Sequence, residues 1–175
     1  MEKTRNLIYT ALCVALGIVL PITFHGIPNA GGIFLPMHIP VLLCGLVCGW
    51  QYGFVCGMMT PFLSSVMTGM PPSAILPGML CELAVYGSVS GLILKLLHTP
   101  SPYVDIYAAL IGAMLAGRIV AGIVKALIFN VGRYSLQAWI TASFVTALPG
   151  IVIQIIVLPI IVIALRRARI VATPQ

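Results

Sequence analysis

The sequence predicts an all-α membrane protein, a compact bundle of six transmembrane helices with both termini on the cytoplasmic side. Three observations predict it. Of the 175 residues, 61% are apolar and only 7% charged, with a mean hydropathy of +1.14. So few polar side chains cannot cover a soluble domain, and lipid must be the solvent for most of the chain. Six apolar runs are separated by breaks rich in Gly and Pro. Lys3, Arg5, Lys95, Arg166, Arg167 and Arg169 all fall on the side of the termini, against Arg133 alone in an opposite loop. That is the asymmetry of the positive-inside rule, so the net charge of +6 reads as a topology signal and nucleic acid is not a partner.

The first span covers residues 7–23, and its preceding Lys3 and Arg5 open a retained helix rather than a cleaved signal, since no small-residue cleavage site follows. Ala11 and Ala15 stand four apart, a small-xxx-small pattern that lets another helix approach closely. Residues 24–38 hold Gly26, Pro28, Asn29, Gly31, Gly32 and Pro36, which together reject a regular helix and leave a long external loop of the kind that serves as a lid. Pro40 suits the first turn of a second helix over 39–49. After a turn at Gly49, Trp50 and Gln51, a third span covers 52–68, and Gly45, Gly49, Gly53 and Gly57 recur every four residues to let backbones pack closely. Thr60, Ser64 and Ser65 on this span are expected to bond their own helix backbone.

Gly69 to Pro72 breaks the chain before a fourth span over 74–97 that carries Glu82. A second break at His98 to Pro102 precedes a fifth span over 105–129. The sixth begins near Trp139 or Ala142 and ends at Leu165, with Pro149 and Pro159 as kink positions. On this topology Trp50, Tyr52, Tyr103 and Tyr107 lie near the inner interface and Tyr134 and Trp139 near the outer one. No internal repeat or inverted pair of broken helices is visible, so the chain reads as part of a larger machine rather than a duplicated transporter.

The fifth span is the informative one, because a membrane helix rarely holds two cations without a use for them. Arg118 and Lys125 are two turns apart on one face, with Gly122 between them. At roughly 1.5 Å per residue, Arg118 and Gln154 lie about 18 Å from the outer helix ends and Glu82 about 12 Å, so the three share one layer of the hydrocarbon core. Glu82 neutralises only one of the two cations. Either Arg118 and Glu82 form an internal salt bridge, or an anion entering from outside supplies the missing charge, with Arg118 offering parallel donors to a carboxylate. Lys125 alternatively snorkels outward. Asn29, Asn130 and Gln154 are candidates to orient polar groups of the same ligand, and His38 joins the set at the end of the loop.

Other chemistry is poorly supported. No nucleotide-binding glycine loop or metal-ligand spacing occurs, and with three carboxylates in the chain, paired-acid catalysis has no basis. Cys13, Cys44, Cys48, Cys56 and Cys81 fall inside apolar runs and match neither a disulfide framework nor a zinc site. No cofactor is expected. A binding subunit fits best, with a small intramembrane enzyme or a structural subunit as the readings from other classes.

The chain resembles the S components, the substrate-binding membrane subunits of energy-coupling factor (ECF) vitamin transporters. The likeness rests on Pro36-Met37-His38-Ile39-Pro40-Val41 followed by Gly45, Gly49 and Gly53, then Glu82-Leu83-Ala84-Val85-Tyr86-Gly87, Ala116-Gly117-Arg118 and Leu148-Pro149-Gly150. It implies a six-helix domain over the whole chain, in a bacterial plasma membrane, that captures a vitamin in its outer half beneath the loop over 24–38. It also implies that Ala11 and Ala15 face a transmembrane coupling subunit and that two separate ATPase subunits hydrolyse ATP. Within the family the likeness is to the pantothenate type. Folate, niacin, biotin and lipoate are carboxylates as well, so the two cations indicate a class of ligand.

Overall fold

The computed structural model describes residues 2–24, 26, 29–97, 99–128, 136–168 and 170–171. Among these there are helices and no strands: α1 (Glu2–Thr23), α2 (Ala30–Phe34), α3 (His38–Cys48), α4 (Trp50–Thr68), α5 (Leu76–Leu96), α6 (Pro102–Ile128), α7 (Leu136–Ile140), a π-helical turn (Thr141–Thr146) and α8 (Leu148–Arg167). The stretches Glu2–Thr23, Ala30–Cys48, Leu76–Leu96, Pro102–Leu127 and Leu148–Arg167 are helical, long and apolar enough to cross a bilayer. Six spans were expected, and the described residues give these five. α4 is long enough at 19 residues but carries Gln51, Thr60, Ser64, Ser65 and Thr68, and it packs between α1, α3 and α5.

α5 is the central helix, in contact with α3, α4 and α6, while α1 leans on α3 and α4, and α8 on α2, α3 and α6. The glycine row explains how they come so close. A side chain at Gly45 or Gly53 would meet the Gly87 carbonyl, one at Gly57 would meet that of Leu83, and one at Gly87 would meet Gly53 in return. Gly49 joins the seam through its backbone, which a side chain at Gly91 would meet, while its own Cβ position faces open space. Its φ of 94° makes it the link between α3 and α4, and the expected three-residue turn shrinks to this one residue because glycine alone adopts that conformation freely.

Two apolar clusters fill the bundle. Leu42, Leu46, Tyr86, Ile106, Leu110, Met114, Leu158 and Val162 join α3, α5, α6 and α8. Cys13, Val41, Cys44, Cys48, Cys56 and Leu83 lie between α1, α3, α4 and α5, where the cysteines are buried free thiols. On α6, Ile111, Leu115, Ile119, Ile123 and Leu127 are exposed every fourth residue, a stripe for lipid, and Arg118 lies on the opposite, buried stripe with Ala113, Met114 and Ala121. Tyr9 donates to the carbonyl of Ile170 at 3.2 Å, so the start of α1 and the end of α8 lie at one end of the bundle. Asp105 accepts from Thr99 N–H and Oγ1 and fastens the loop before α6.

Other local expectations are corrected. Residues 24–38 do contain a helix, the short α2, because Asn29 and Leu35 take left-handed conformations (φ 57° and 51°) that open and close it. Thr60 bonds its own helix through Cys56 O, but Ser64 and Ser65 donate to the carbonyls of Met70 and Pro71 in the α4–α5 connection. The last span is broken: α7 and the π turn precede α8, which starts with Pro149 in its first turn.

The seam makes a prediction. Gly87→Val drives a side chain into the α4 backbone and should cost about 1–3 kcal/mol, read as a lower unfolding midpoint in detergent. Gly31→Ala, with open space around its Cβ position, should leave the midpoint unchanged.

Candidate functional site

At the end of the bundle opposite Tyr9 and Ile170, the C-terminal ends of α1, α4 and α6 meet the starts of α3, α5 and α8 around a cavity of about 400 Å³. This size falls in the range of roughly 300–1,000 Å³ typical of small-molecule sites. Three connections wall it. Asn29 to His38 forms one side, Met70 to Ile75 a second, and Ala142, Ser143 and Ala147 a third.

The walls are held in place by named bonds. Phe24 stacks on Phe34 at 5.4 Å between ring centroids, tying the end of α1 to α2. Gly150 of α8 sits against the carbonyls of Ile33 and Phe34, where any side chain would overlap them. One turn further along α8, Gln154 donates from Nε2 to Leu35 O at 3.4 Å. Gln154 therefore supports the wall from behind and does not line the cavity, because this bond directs its amide toward the α2–α3 corner. On the second wall, Ser64 and Ser65 hold the carbonyls of Met70 and Pro71 at 2.7 and 2.9 Å.

Charge is concentrated on one side. Glu82, Arg118, Lys125 and His38 all line the cavity, as does Asn29. Glu82 lies 3.9 Å from Lys125 Nζ and 3.6 Å from His38 Nε2, so it pairs with Lys125 and His38 and forms no ion pair with Arg118. Of the two alternatives the sequence left open, the Arg118–Glu82 bridge is not formed, and this triangle stands in its place. Lys125 does not snorkel away: its stem passes over Gly78, whose missing side chain leaves it room.

Arg118 is 3% exposed, and its Nε and Nη2 are buried with no hydrogen-bond partner. The guanidinium instead faces the Phe144 ring, with Cζ 5.5 Å from the ring centroid. Of seven buried side-chain polar atoms without a hydrogen bond among the described residues, five belong to Arg118, His38 and Tyr86. Tyr86 is one turn beyond Glu82 and makes an edge contact with His38 at 5.1 Å. Buried donors are normally satisfied, so a cluster of orphans beside a cavity marks where a ligand's acceptors are missing.

The structure thus brings together Arg118, Lys125, Glu82, His38 and Asn29, while Asn130 lies outside the described residues. Gly122 does not serve the space between the two cations. It seats the Trp139 indole, whose Nε1 donates to Arg118 O at 3.3 Å, so Trp139 turns inward instead of simply marking an interface. Ser143, Met70, Pro71, Pro72, Ile75 and Met79 were not expected at the site. The Pro71-Pro72 break was visible in the sequence, and its apolar neighbours were the available signal that it faces protein rather than water.

Ala11 and Ala15 are both on the exposed face of α1, alongside Leu12 and Leu16 and opposite the buried Cys13 and Gly17.

A family model described as "ECF transporter, substrate-specific component" matches residues 5–162. No curated protein and no solved structure matches the chain at a significant level.

The charge arrangement predicts opposite responses from the two cations in the ligand-free protein. Arg118→Met removes a buried charge that Glu82 does not pair and should raise the unfolding midpoint, whereas Lys125→Met takes one of its two partners from Glu82 and should lower it. Each change should correspond to about 1–3 kcal/mol, measured by thermal unfolding in detergent.

Proposed function

We propose, for a chain that belongs to the family of ECF transporter substrate-specific components, that its cavity captures a small carboxylate vitamin from outside, with pantothenate the first ligand to test. Members of this family are integral membrane transport subunits and not enzymes; they work with an ECF module on a small-molecule substrate. The observation that carries the carboxylate reading is the buried Arg118 guanidinium with two unpartnered nitrogens, beside a Glu82 already engaged by Lys125 and His38.

The triangle of Glu82, Lys125 and His38 leaves Arg118 as the cation without a carboxylate. A ligand carboxylate reaching it supplies two acceptor oxygens and matches the charge in a medium where neither is screened by water. Asn29 and Ser143, on two of the walls, suit hydroxyl or amide groups in the body of the ligand, and Met70, Pro71, Ile75 and Met79 suit its carbon skeleton. Pantothenate combines these features. Folate, niacin, biotin and lipoate share the carboxylate and are the alternatives within the same reading.

The chain acts as a single domain over residues 1–175, with α4 as the sixth span and the termini cytoplasmic, as the positive-inside pattern requires. The segment over 24–38 acts as the lid. Ala11 and Ala15 form the docking face for the transmembrane coupling subunit, and two ATPase subunits drive release of the vitamin inside. ATP chemistry is thereby left to partner chains.

Titration of ligand-stripped protein with pantothenate, folate, niacin, biotin and lipoate should find one that binds at one per chain. Arg118→Ala should weaken that ligand about 10- to 100-fold, the loss expected for charge-assisted hydrogen bonds. Unchanged affinity in the Arg118→Ala protein would remove the carboxylate site. Separately, Ala11→Leu with Ala15→Leu should abolish co-purification with an ECF module while leaving vitamin affinity within about twofold, since neither residue touches the cavity.

A further inference from the structure

The carboxylate reading of Arg118 leaves open what holds a buried guanidinium whose Nε and Nη2 have no hydrogen-bond partner. The answer lies in the π turn. Trp139 and Phe144 are five residues apart, and in a regular α-helix at about 100° per residue they would point roughly 140° away from each other. The π turn over Thr141–Thr146 closes its hydrogen bonds one residue later, which widens the turn and brings residues five apart back toward one face. The two rings accordingly meet edge to face, with centroids 5.7 Å apart and planes at 88°.

This pair grips Arg118 at both ends. Trp139 donates to its backbone carbonyl, anchored by the fit of the indole on Gly122, and Phe144 presents its ring to the guanidinium. The ring's negative face is the compensation that a cation receives when no oxygen is available. Ala142 and Ser143, between the two aromatics, line the cavity, so the element that carries the grip is also part of the cavity wall.

We propose that Phe144 and Trp139 are positioning residues that hold Arg118 ready for an anion, and that the π turn exists to place them. The proposal rests on the carboxylate reading of the cavity. Its consequence is selectivity: the grip favours ligands that bring a negative charge to Arg118 and does nothing for neutral relatives of the same shape.

Two measurements test it. The first needs no ligand. Unfolding midpoints of wild-type protein, Phe144→Leu, Arg118→Met and the double variant form a cycle, in which the cost of Phe144→Leu should largely disappear once Arg118 is gone. Strictly additive shifts overturn the proposal, whatever the cavity binds.

The second compares each acid that binds with its neutral analogue, such as pantothenate with pantothenol, nicotinate with nicotinamide, or biotin with biotinamide. Phe144→Leu should weaken the acid about 3- to 30-fold and leave the neutral analogue within about twofold, while Phe144→Tyr, which keeps a ring face, should restore most of the loss. Equal weakening of both members of a pair would reduce Phe144 to a packing residue, and unchanged or tighter acid binding would also overturn the proposal. If no acid in the panel binds wild-type protein, the carboxylate function fails, and the unfolding cycle still decides whether Phe144 holds Arg118.

Discussion

The closeness of α4 to α5 is the constraint on which the remaining geometry depends. Helices in lipid gain little from hiding apolar surface, so they associate through tight packing, and here Gly53 and Gly87 lie backbone to backbone. The approach fixes the height of α5 in the bundle. Glu82 and Tyr86, on the adjoining turns, are thereby set at the level of His38 and Arg118. A side chain in the seam would move the acid away from its cations as well as parting two helices.

The charges at the cavity are arranged unequally. Glu82 is 12% exposed and has Lys125 and His38 close by, whereas Arg118 is buried with an aromatic ring for company. A stability argument alone would not retain such an arginine, because a well-packed apolar side chain of similar size avoids the desolvation cost. Function supplies the reason. On the function proposed above, the unsatisfied cation is kept so that an incoming anion completes the structure.

Much of this was legible in the sequence. The helical breaks and the glycine row follow from composition and periodicity, and the cavity brings together Glu82 and Arg118, which rise per residue had placed near one layer, with Lys125 and His38 from outside that layer. The partners were not legible. Which cation Glu82 chooses depends on helix rotation within the bundle, and the path of Lys125 over Gly78 is a contact between distant segments. Gln154 was sought at the ligand because a polar residue at that depth invites it, but the Leu35 carbonyl, which also accepts from the His38 N–H, claims its amide. The π turn has no local signature in Thr141–Thr146, a run whose residues would equally continue an α-helix.

The cavity walls come from three connections: the stretch around α2, the proline corner after α4 and the π turn. None of them contributes a residue to the glycine seam. Replacements at Asn29, Met70, Pro72 or Ser143 therefore alter what the cavity admits without disturbing how the helices pack. A lineage built on this plan is free to exchange one small-molecule substrate for another by drift in its loops, while the packed helices stay under separate selection.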